Sequence, residues 1–434
     1  MTAEVSVMNR IGVALAADSA VTVRSGGTTG KIYTSADKLF CLVSGAPIGI
    51  MVYGSANHVR VPWETIIKEF RKAGAGNAQA TVFDYRTAFI NFLDVNGAMF
   101  SDADERQSIR RELQFYIHTW IRADLKNALG AALEADEKDE LDQKDVKKIV
   151  AAKVKDLSKS IDESPFAEGF SLKDVTAAQE QYRDISEETV NIEIGELPIT
   201  PSVRKNLCET LCSALVRRVT LASEPSGIVI AGFGTSEYLP RLEDVEISGR
   251  VLGRTRISKS GSATIDEQND SVVKAFAQTE GVNAFMKGVH HQLLSFFERS
   301  TKELMKQLTD ITVDKVHEQS PELADSLKKA IEPALKTASD NLDRSWEERV
   351  RKHWEPVIDV IAYLPKDELA ATAEALVNLT GFRKQVTPEQ ETVGGPIDVA
   401  IITKGDGFVW MRRKNYFESD LNPITMGRLN NGDS

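Results

Sequence analysis

Cysteine is scarce in this chain. The 434 residues include three cysteines, Cys41, Cys208 and Cys212. Cys208 and Cys212 stand four positions apart in a helical pattern, but no further cysteine or nearby histidine completes a metal site. We therefore interpret both as small buried hydrophobic residues. So few thiols, with no evident signal peptide, predict a protein of the reducing cytoplasm rather than of an oxidising compartment.

An excess of basic charge and a long hydrophobic run are also missing. The 53 lysines and arginines are outnumbered by 64 aspartates and glutamates, which gives a net charge of −11. No broad basic stripe appears, which argues against a nucleic-acid partner or an anionic membrane surface. The longest uncharged run includes residues 41–59, where Pro47 and several glycines are typical of strands and turns rather than of a membrane span.

What is present is concentrated in the first 45 residues. Apolar residues alternate there with smaller or polar ones, at Val5, Val7, Ile11, Val13 and Leu15. An alternation of period two predicts strands with one buried face. We expect an antiparallel hairpin with a tight turn at Asn9-Arg10, preceded directly by Thr2.

Thr2 is a candidate nucleophile. Removal of Met1 would leave Thr2 with a free α-amine, which gives the weakly nucleophilic hydroxyl a base of its own. That amine, with a reference pKa of roughly 7.7–8.0, needs a nearby cation to stay neutral. Lys31 could supply the cation, and Asp18 could hold Lys31 and offset its charge. Taken singly, Asp18 is as easily a turn residue and Lys31 a solvated one.

The same stretch resembles the start of proteasome β-subunits and of their bacterial proteasome-like relatives, which are N-terminal-nucleophile (Ntn) hydrolases. Residues 12–19 are similar to the family strand that ends in the catalytic aspartate, here Asp18. Lys31, after a glycine turn, falls in the segment that resembles the one with the catalytic lysine. The resemblance implies that Gly45 donates its backbone N–H to the oxyanion hole. Val43 is then a candidate for the apolar floor of the substrate pocket.

Two positions near the C-terminal Gly394-Gly395 pair depart from the family pattern. Val393 stands where the family has a serine, and Gln390 stands where it has a supporting aspartate. Glu391 or its neighbour Glu389 could compensate. If neither does, the resemblance implies a less well positioned threonine amine.

Two further hydroxyl groups are candidate supporting residues. Ser19 directly follows Asp18, and Thr279 lies where the family carries a Ser-Gly loop near the nucleophile. No metal site is expected. No metal or organic cofactor is needed for the implied chemistry.

The expected fold is α+β, a four-layer αββα Ntn-hydrolase sandwich enlarged by helical insertions. Residues 185–201 are interpreted as a connector, and residues 364–381 as a helix that ends at Gly381. The expected parts of the chain are a core of residues 1–100, 222–290 and 358–416, helical insertions at 101–221 and 291–357, and a disordered tail at 417–434.

The function implied by the resemblance is that of a threonine-dependent amide hydrolase, with a proteasome-like peptidase as the leading form. Its substrate would be a polypeptide or another amide. Family members assemble into rings, so we expect a homo-oligomer, and an ATP-dependent unfoldase is a conceivable partner. Two alternatives stay open. One is a catalytically weak or inactive scaffold that binds partners through its insertions, and the other is a small-molecule Ntn amidase.

Overall fold

The computed structural model describes residues 2–23, 31–74, 77–135, 142–219, 225–386, 394–414 and 421–423. Within these ranges the protein mixes α-helices with antiparallel β-sheets. No helix in the described ranges is both long enough and apolar enough to cross a membrane. The predicted tail lies outside the described residues apart from 421–423.

The strands of the described residues are β1 (Ala3–Asn9), β2 (Gly12–Ala17), β3 (Val21–Val23), β4 (Lys31–Tyr33), β5 (Leu39–Cys41), β6 (Ile48–Gly54), β7 (Asn57–His58), β8 (Val61–Pro62), β9 (Ser226–Gly232), β10 (Arg241–Val251), β11 (Arg254–Thr264), β12 (Ser271–Ala277), β13 (Asp398–Thr403) and β14 (Gly407–Arg412).

The helices of the same residues are α1 (Trp63–Lys72), α2 (Val82–Val95), α3 (Asp102–Tyr116), α4 (Arg122–Ala135), α5 (Gln143–Glu163), α6 (Leu172–Gln181), α7 (Arg183–Ile194), α8 (Pro201–Leu215), α9 (Glu280–Lys287), α10 (His291–His317), α11 (Pro321–Ala362) and α12 (Lys366–Gln385). A π-helical turn at Ile117–Ile121 joins α3 to α4.

The predicted N-terminal hairpin is confirmed. β1 and β2 pair antiparallel, with Glu4 opposite Ala17 and Met8 opposite Val13. Asn9 closes the turn, because its side-chain Oδ1 accepts the Ile11 N–H at 2.9 Å. A side chain that bonds the backbone two residues on is the usual device of an asparagine turn.

The chain divides into two compact units. The first comprises residues 1–34, 265–401 and 410–414, and the second comprises residues 35–264, 402–409 and 415–434. The predicted core of residues 1–100, 222–290 and 358–416 is therefore divided between the two units. The predicted limits of core and insertions stay a prediction.

The first unit is built on a sheet with the strand order β12-β1-β2-β13-β14. Odd-numbered side chains of β1 form an apolar cluster with α12, through Ala3, Val5, Val7, Leu369 and Val377. The even-numbered side chains point to the opposite face, because successive residues of a strand alternate. That face is polar at its start and is nevertheless buried, with Thr2, Glu4 and Ser6 no more than 3% exposed.

Helix α12 runs through Gly381 to Gln385, so the predicted end at Gly381 is wrong. Thr380 is buried in the last turns. The guanidinium of Arg383 lies 3.5 Å from the Glu280 carboxylate. Gly381 therefore does not end α12. The burial of Thr380 and the ion pair of Arg383 stabilise the turn that follows, and glycine ends a helix where the chain is free to turn away.

In the second unit, a sheet with the order β11-β10-β9-β6-β5 packs against α1 and α2. The buried residues of α1 are Trp63, Ile66, Ile67 and Phe70, at the three- and four-residue spacing of one apolar helix face. Phe70 meets Phe89 of α2 edge to face, with 5.1 Å between the ring centroids. Aromatic pairs favour this arrangement.

Helices α3 to α8 have a hydrophobic cluster of their own, which includes Cys208 and Cys212. The interpretation of these cysteines as buried small residues is confirmed, and burial raises the pKa of Cys212 to about 11. The predicted connector at 185–201 is wrong in its first half, which forms α7. The segment forms a helix because Ile185, Val190 and Ile194 are buried on one face. Burial of that face outweighs the many charged residues around it.

Glu112 of α3 is a buried acid in this unit. Burial raises its pKa from 4.5 to about 7, against the opposing effects of the nearby Arg256 guanidinium and the Ser108 hydroxyl. Arg256 of β11 is itself buried and donates to the hydroxyl of Ser248. The carboxyl of Glu112 therefore binds a proton more tightly in the folded protein than in the unfolded chain.

We expect Glu112→Gln to change how stability depends on pH. Because the folded pKa lies above the unfolded one, the stability contributed by the protonated acid is complete below about pH 4.5 and is lost as the pH rises through 7. The amide cannot ionise, so above pH 8 the variant should gain up to roughly 3 kcal/mol over the parent, at about 1.4 kcal/mol per pKa unit.

Urea unfolding of both proteins between pH 5 and 8.5 measures this difference. Glu163→Gln is the matched control, because its side chain is 68% exposed in the same unit. Parallel pH curves for Glu112→Gln and the parent would contradict the prediction.

Candidate active site at the start of the chain

Thr2 is held at the edge of β1 by its backbone. Its carbonyl accepts the Gln278 N–H at 3.1 Å, and the next residue, Ala3, pairs with Ala277 of β12. The Thr2 residue is 3% exposed. The start of the chain is thus fixed between β2 and β12.

Glu4 is a functional candidate that the sequence analysis missed. The Thr2 hydroxyl donates to Oε2 of Glu4 at 3.0 Å, and Glu4 is fully buried. The two side chains share a face because they lie two residues apart on an extended chain. A carboxylate at this distance can orient the hydroxyl or accept its proton. The available signal was a charged residue near the start of an otherwise uncharged strand, since glutamate is almost never fully buried without a partner.

Asp18 fixes the backbone that follows Thr2 and ties it to the segment that precedes β13. It directly follows β2 and is 1% exposed. Its Oδ1 accepts the Ala3 N–H at 3.1 Å, and its Oδ2 accepts the Gly394 N–H at 3.0 Å. One carboxylate therefore joins the residue after Thr2 to the chain before β13. Asp18 thus contacts the residue that follows Thr2, and its membership of one catalytic site with Thr2 stays a prediction.

Ser19 reinforces the same connection. Its hydroxyl donates to the Pro396 carbonyl at 2.6 Å. Between these two anchors, Gly395 has a φ of +81°, and a Cβ there would come within 2.8 Å of the Thr34 Cβ. Positive φ and close approach together require glycine. The backbone next to the Asp18–Gly394 hydrogen bond therefore requires glycine at position 395.

The lysine of the predicted site is described in its backbone alone. Lys31 lies in β4, opposite Val23 of β3, and its side chain lies outside the described residues. In the second unit, Lys38 directly precedes β5 and is 5% exposed. Lysine is almost never this buried unless it is paired. Lys38 is therefore a buried lysine of the second unit, seven residues after Lys31 in the sequence.

Gly45 and Val43 belong to a turn of the second unit. The Ala46 N–H donates to the Val43 carbonyl at 3.2 Å, and Gly45 has a φ of +76°. A positive φ at the third residue of a four-residue turn favours glycine. Gly45 is exposed, whereas Val43 is half-buried and packs against the apolar cluster of this unit. Their proposed roles, as oxyanion donor and pocket floor, stay predictions.

The remaining predicted residues are only partly described. Thr279 follows Gln278 and precedes α9, where its carbonyl accepts the Asn283 N–H at 2.8 Å. It is half-buried. Glu391 lies outside the described residues, as do Gln390 and Val393. In the part of the chain that is described, no three His, Cys, Asp or Glu side chains are grouped to hold a metal ion.

The carboxylate of Asp18 should contribute measurably to stability. Asp18→Asn replaces one charged acceptor with an NH₂ group that faces a backbone N–H. Since hydrogen bonds to charged groups contribute about 1.5–3 kcal/mol each, we expect the free energy of unfolding to fall by about 2–3 kcal/mol. Amide exchange at Ala3 and Gly394 should become faster. Denaturant unfolding and hydrogen exchange measure the two effects.

Asp270→Asn is the control for this variant. Asp270 lies in the same unit and forms an exposed ion pair with Arg10 at 2.8 Å, a type of contact that contributes about 0–1 kcal/mol. Equal losses of unfolding free energy in Asp18→Asn and Asp270→Asn would contradict the anchoring role of Asp18.

Comparisons with known proteins add little to this geometry. No protein-family model matches the chain, and no curated protein matches it. Among solved structures, an Anbu (Gly-1) mutant from Hyphomicrobium sp. strain MC1 aligns over 100% of this chain and 96% of its own, with 10% identity and a TM-score of 0.28. Anbu is a bacterial proteasome-like protein. A similarity at this level carries no argument about activity, which has to be argued from Thr2, Glu4 and Asp18 themselves.

Proposed function

We propose that the chain is a threonine-dependent amide hydrolase that uses Thr2 as its nucleophile after removal of Met1. The observation that carries the proposal is the hydrogen bond from the Thr2 hydroxyl to the buried Glu4 carboxylate at 3.0 Å. Asp18 supports it by binding the N–H of the residue next to Thr2. A buried hydroxyl oriented by a carboxylate, at a chain end fixed by a second carboxylate, has the elements of an activated nucleophile.

In the proposed reaction, Thr2 Oγ1 attacks the carbonyl carbon of an amide. The hydroxyl proton passes to the free α-amine of Thr2, and Glu4 orients the hydroxyl for the attack. Collapse of the tetrahedral intermediate breaks the C–N bond, and the same proton moves to the leaving amine. Water then hydrolyses the Thr2 ester and restores the hydroxyl, so no oxidant, reductant or cofactor is required.

The surrounding groups have proposed supporting roles. The Lys31 ammonium would hold the Thr2 amine neutral, and Asp18 would orient Lys31. The Gly45 N–H would stabilise the oxyanion, which is typically worth about 2.7–4 kcal/mol for one donor. Ser19, Thr279 and Glu391 are proposed as supporting residues. The proposed architecture is the four-layer αββα sandwich of Ntn hydrolases.

A peptidase that acts on polypeptides is the form we favour, as a cytoplasmic homo-oligomer with an unfoldase as a conceivable partner. This form is supported by the sequence resemblance to proteasome β-subunits. A small-molecule amidase would use the same nucleophile, and turnover of peptides against small amides separates the two.

An inactive scaffold is the second candidate function. The 3% exposure of Thr2 favours it, because a substrate carbonyl has to reach the Thr2 hydroxyl. In a scaffold, the bond from Thr2 to Glu4 would be one of the many hydrogen bonds that satisfy buried polar groups.

Thr2→Ala should abolish hydrolysis and labelling by a threonine-directed covalent probe. The loss of one hydroxyl hydrogen bond should lower the free energy of unfolding by only about 1 kcal/mol. Intact mass should show a parent chain that lacks Met1 and carries the probe at Thr2. Thr372→Ala on α12 is the control, since Thr372 merely bonds the Glu368 carbonyl of its own helix. A chain that retains Met1, or labelling that survives Thr2→Ala, would support the scaffold.

Glu4→Gln tests which group takes the proton. The amide keeps the size of Glu4 but cannot act as a base. If the α-amine is the base, kcat should fall less than tenfold, and the rate should still rise with pH near the amine pKa of roughly 7.7–8.0. A fall of about 10²–10⁴, the usual contribution of a general base, would transfer that role to Glu4.

Lys31→Ala and Lys38→Ala form a matched pair for the cation. We expect Lys31→Ala to abolish hydrolysis and Lys38→Ala to retain it. The reverse result, in variants whose thermal unfolding matches that of the parent, would assign the cation to Lys38.

A further inference from the structure

Helices α10 and α11 form a hairpin in the first unit that the other described residues leave largely uncovered. Three residues separate them in sequence, and the start of α10 lies beside the middle of α11. None of the 27 residues of α10 is buried. In α11, two of 42 residues are buried, Ala324 and Ile361. A helix gains most of its stability by packing an apolar face, so this hairpin lacks the packing that such long helices normally have.

The exposed face of α10 is apolar. Its apolar stripe consists of Leu293, Phe297, Leu304, Leu308 and Ile311, which are 50–57% exposed. At 100° per residue these positions lie within one 60° sector of the helix. Half-buried Leu294 and Met305 lie on the neighbouring sector and line the side towards α11. The stripe therefore lies next to the side that faces α11, and only Phe297 of the stripe also borders the groove between the two helices.

A groove of about 240 Å³ adjoins the stripe at its N-terminal end. It lies between the two helices, where Phe297 borders Leu342 and Trp346 of α11. Leu342 is 47% exposed and Trp346 is 37% exposed. The stripe and the groove thus form one continuous apolar surface.

The area of this surface is that of an interface. With about 200 Å² for a large apolar side chain, the five side chains of the stripe together with Leu342 and Trp346, each about half exposed, present on the order of 700 Å². The largest apolar patch of a typical monomer is about 300–600 Å². A standard protein–protein interface buries about 800 Å² on each partner.

The charge of α10 permits a second copy to approach. The net charge of α10 is zero, whereas that of the whole chain is −11. Its four cations are Arg299, Lys302, Lys306 and Lys315, and its four anions are Glu298, Glu303, Asp310 and Asp314. Two such helices meet without net repulsion, which would not hold for most of this acidic protein.

The stripe is also complementary to itself when reversed. With Leu304 on a two-fold axis, Phe297 of one copy lies opposite Ile311 of the other, since both are seven residues from Leu304. Ser300, a small residue about 20° outside the sector of the stripe, lies opposite Leu308. At these two pairs a large residue faces a smaller one, as close packing requires. Leu293 lies opposite Lys315, whose alkyl chain can pack over it. A parallel alignment would place Ser300 against Ser300 and leave a gap.

We propose that the α10–α11 hairpin is a self-association surface, on which the apolar stripes of two copies pack antiparallel about a two-fold axis at Leu304. A two-fold contact of this kind is isologous and closes on itself. The hairpins of the two chains then form a four-helix bundle. This inference is independent of any hydrolase activity, because no residue of the surface belongs to the candidate active site.

Light scattering and sedimentation velocity on the full chain test the proposal. The particle mass of the parent should be at least twice the 47.8 kDa of the chain. Leu304→Glu places two carboxylates at the axis and should raise the dissociation constant at least a hundredfold, which halves the mass. Ser295→Glu adds the same charge on the opposite side of α10 and should leave the mass unchanged. Circular dichroism should show equal helix content in all three proteins.

Leu304→Cys supplies a second readout. On a two-fold axis the two cysteines approach within disulfide range, so mild oxidation should give a covalent dimer. Ser295→Cys should give none. A monomeric parent, an unchanged mass in Leu304→Glu, or no dimer from Leu304→Cys would each overturn the proposal. A membrane is the alternative occupant of the stripe. The proposal would also be overturned if the parent bound lipid vesicles, and if Leu304→Glu abolished that binding without changing the particle mass.

Discussion

The carboxylate of Asp18 is the contact on which the start of the molecule depends. It binds the Ala3 N–H and the Gly394 N–H with its two oxygens, across 376 positions of sequence. A buried carboxylate has to have its oxygens satisfied, because an unpaired charge in the interior is very costly. The two hydrogen bonds of Asp18 therefore stabilise the positions of the backbone at Ala3 and at Gly394. Thr2 is held in place because it directly precedes Ala3.

The polar face of β1 is a second constraint on the same region. Glu4 and Ser6 are fully buried on it, although β1 is flanked by strands on both sides. A sheet built for stability alone would place aliphatic residues there, as it does on the opposite face with Val5 and Val7. Buried polar groups that stability does not require are common where a protein does chemistry. The buried polar face of β1 supports the proposed hydrolase over the scaffold, even though Thr2 is little exposed.

The helical parts of the chain differ in what covers them. Helices α3 to α8 bury a cluster that includes Leu113, Val150 and Leu211, together with Val251 of β10. Helix α10 buries no residue, and its apolar stripe is exposed. The first set of helices thus shares a buried core with a strand of the sheet, whereas the α10–α11 hairpin needs a partner to bury its apolar stripe.

The sequence by itself determined the elements whose signals are local. The alternation in β1 and β2 and the spacing of Trp63, Ile66 and Phe70 each depend on a period that neighbouring residues reveal. It failed where packing outweighed local preference, at α7 and at Gly381. For the candidate site, it predicted Thr2 and Asp18 from their order along the chain. Glu4 was missed because the alternation predicts one buried face, whereas both faces of β1 are buried. Only the tertiary structure decided that Asp18 meets Gly394, that Glu4 accepts from Thr2 and that α10 is left open, because burial and contact between distant segments are properties of the packed chain.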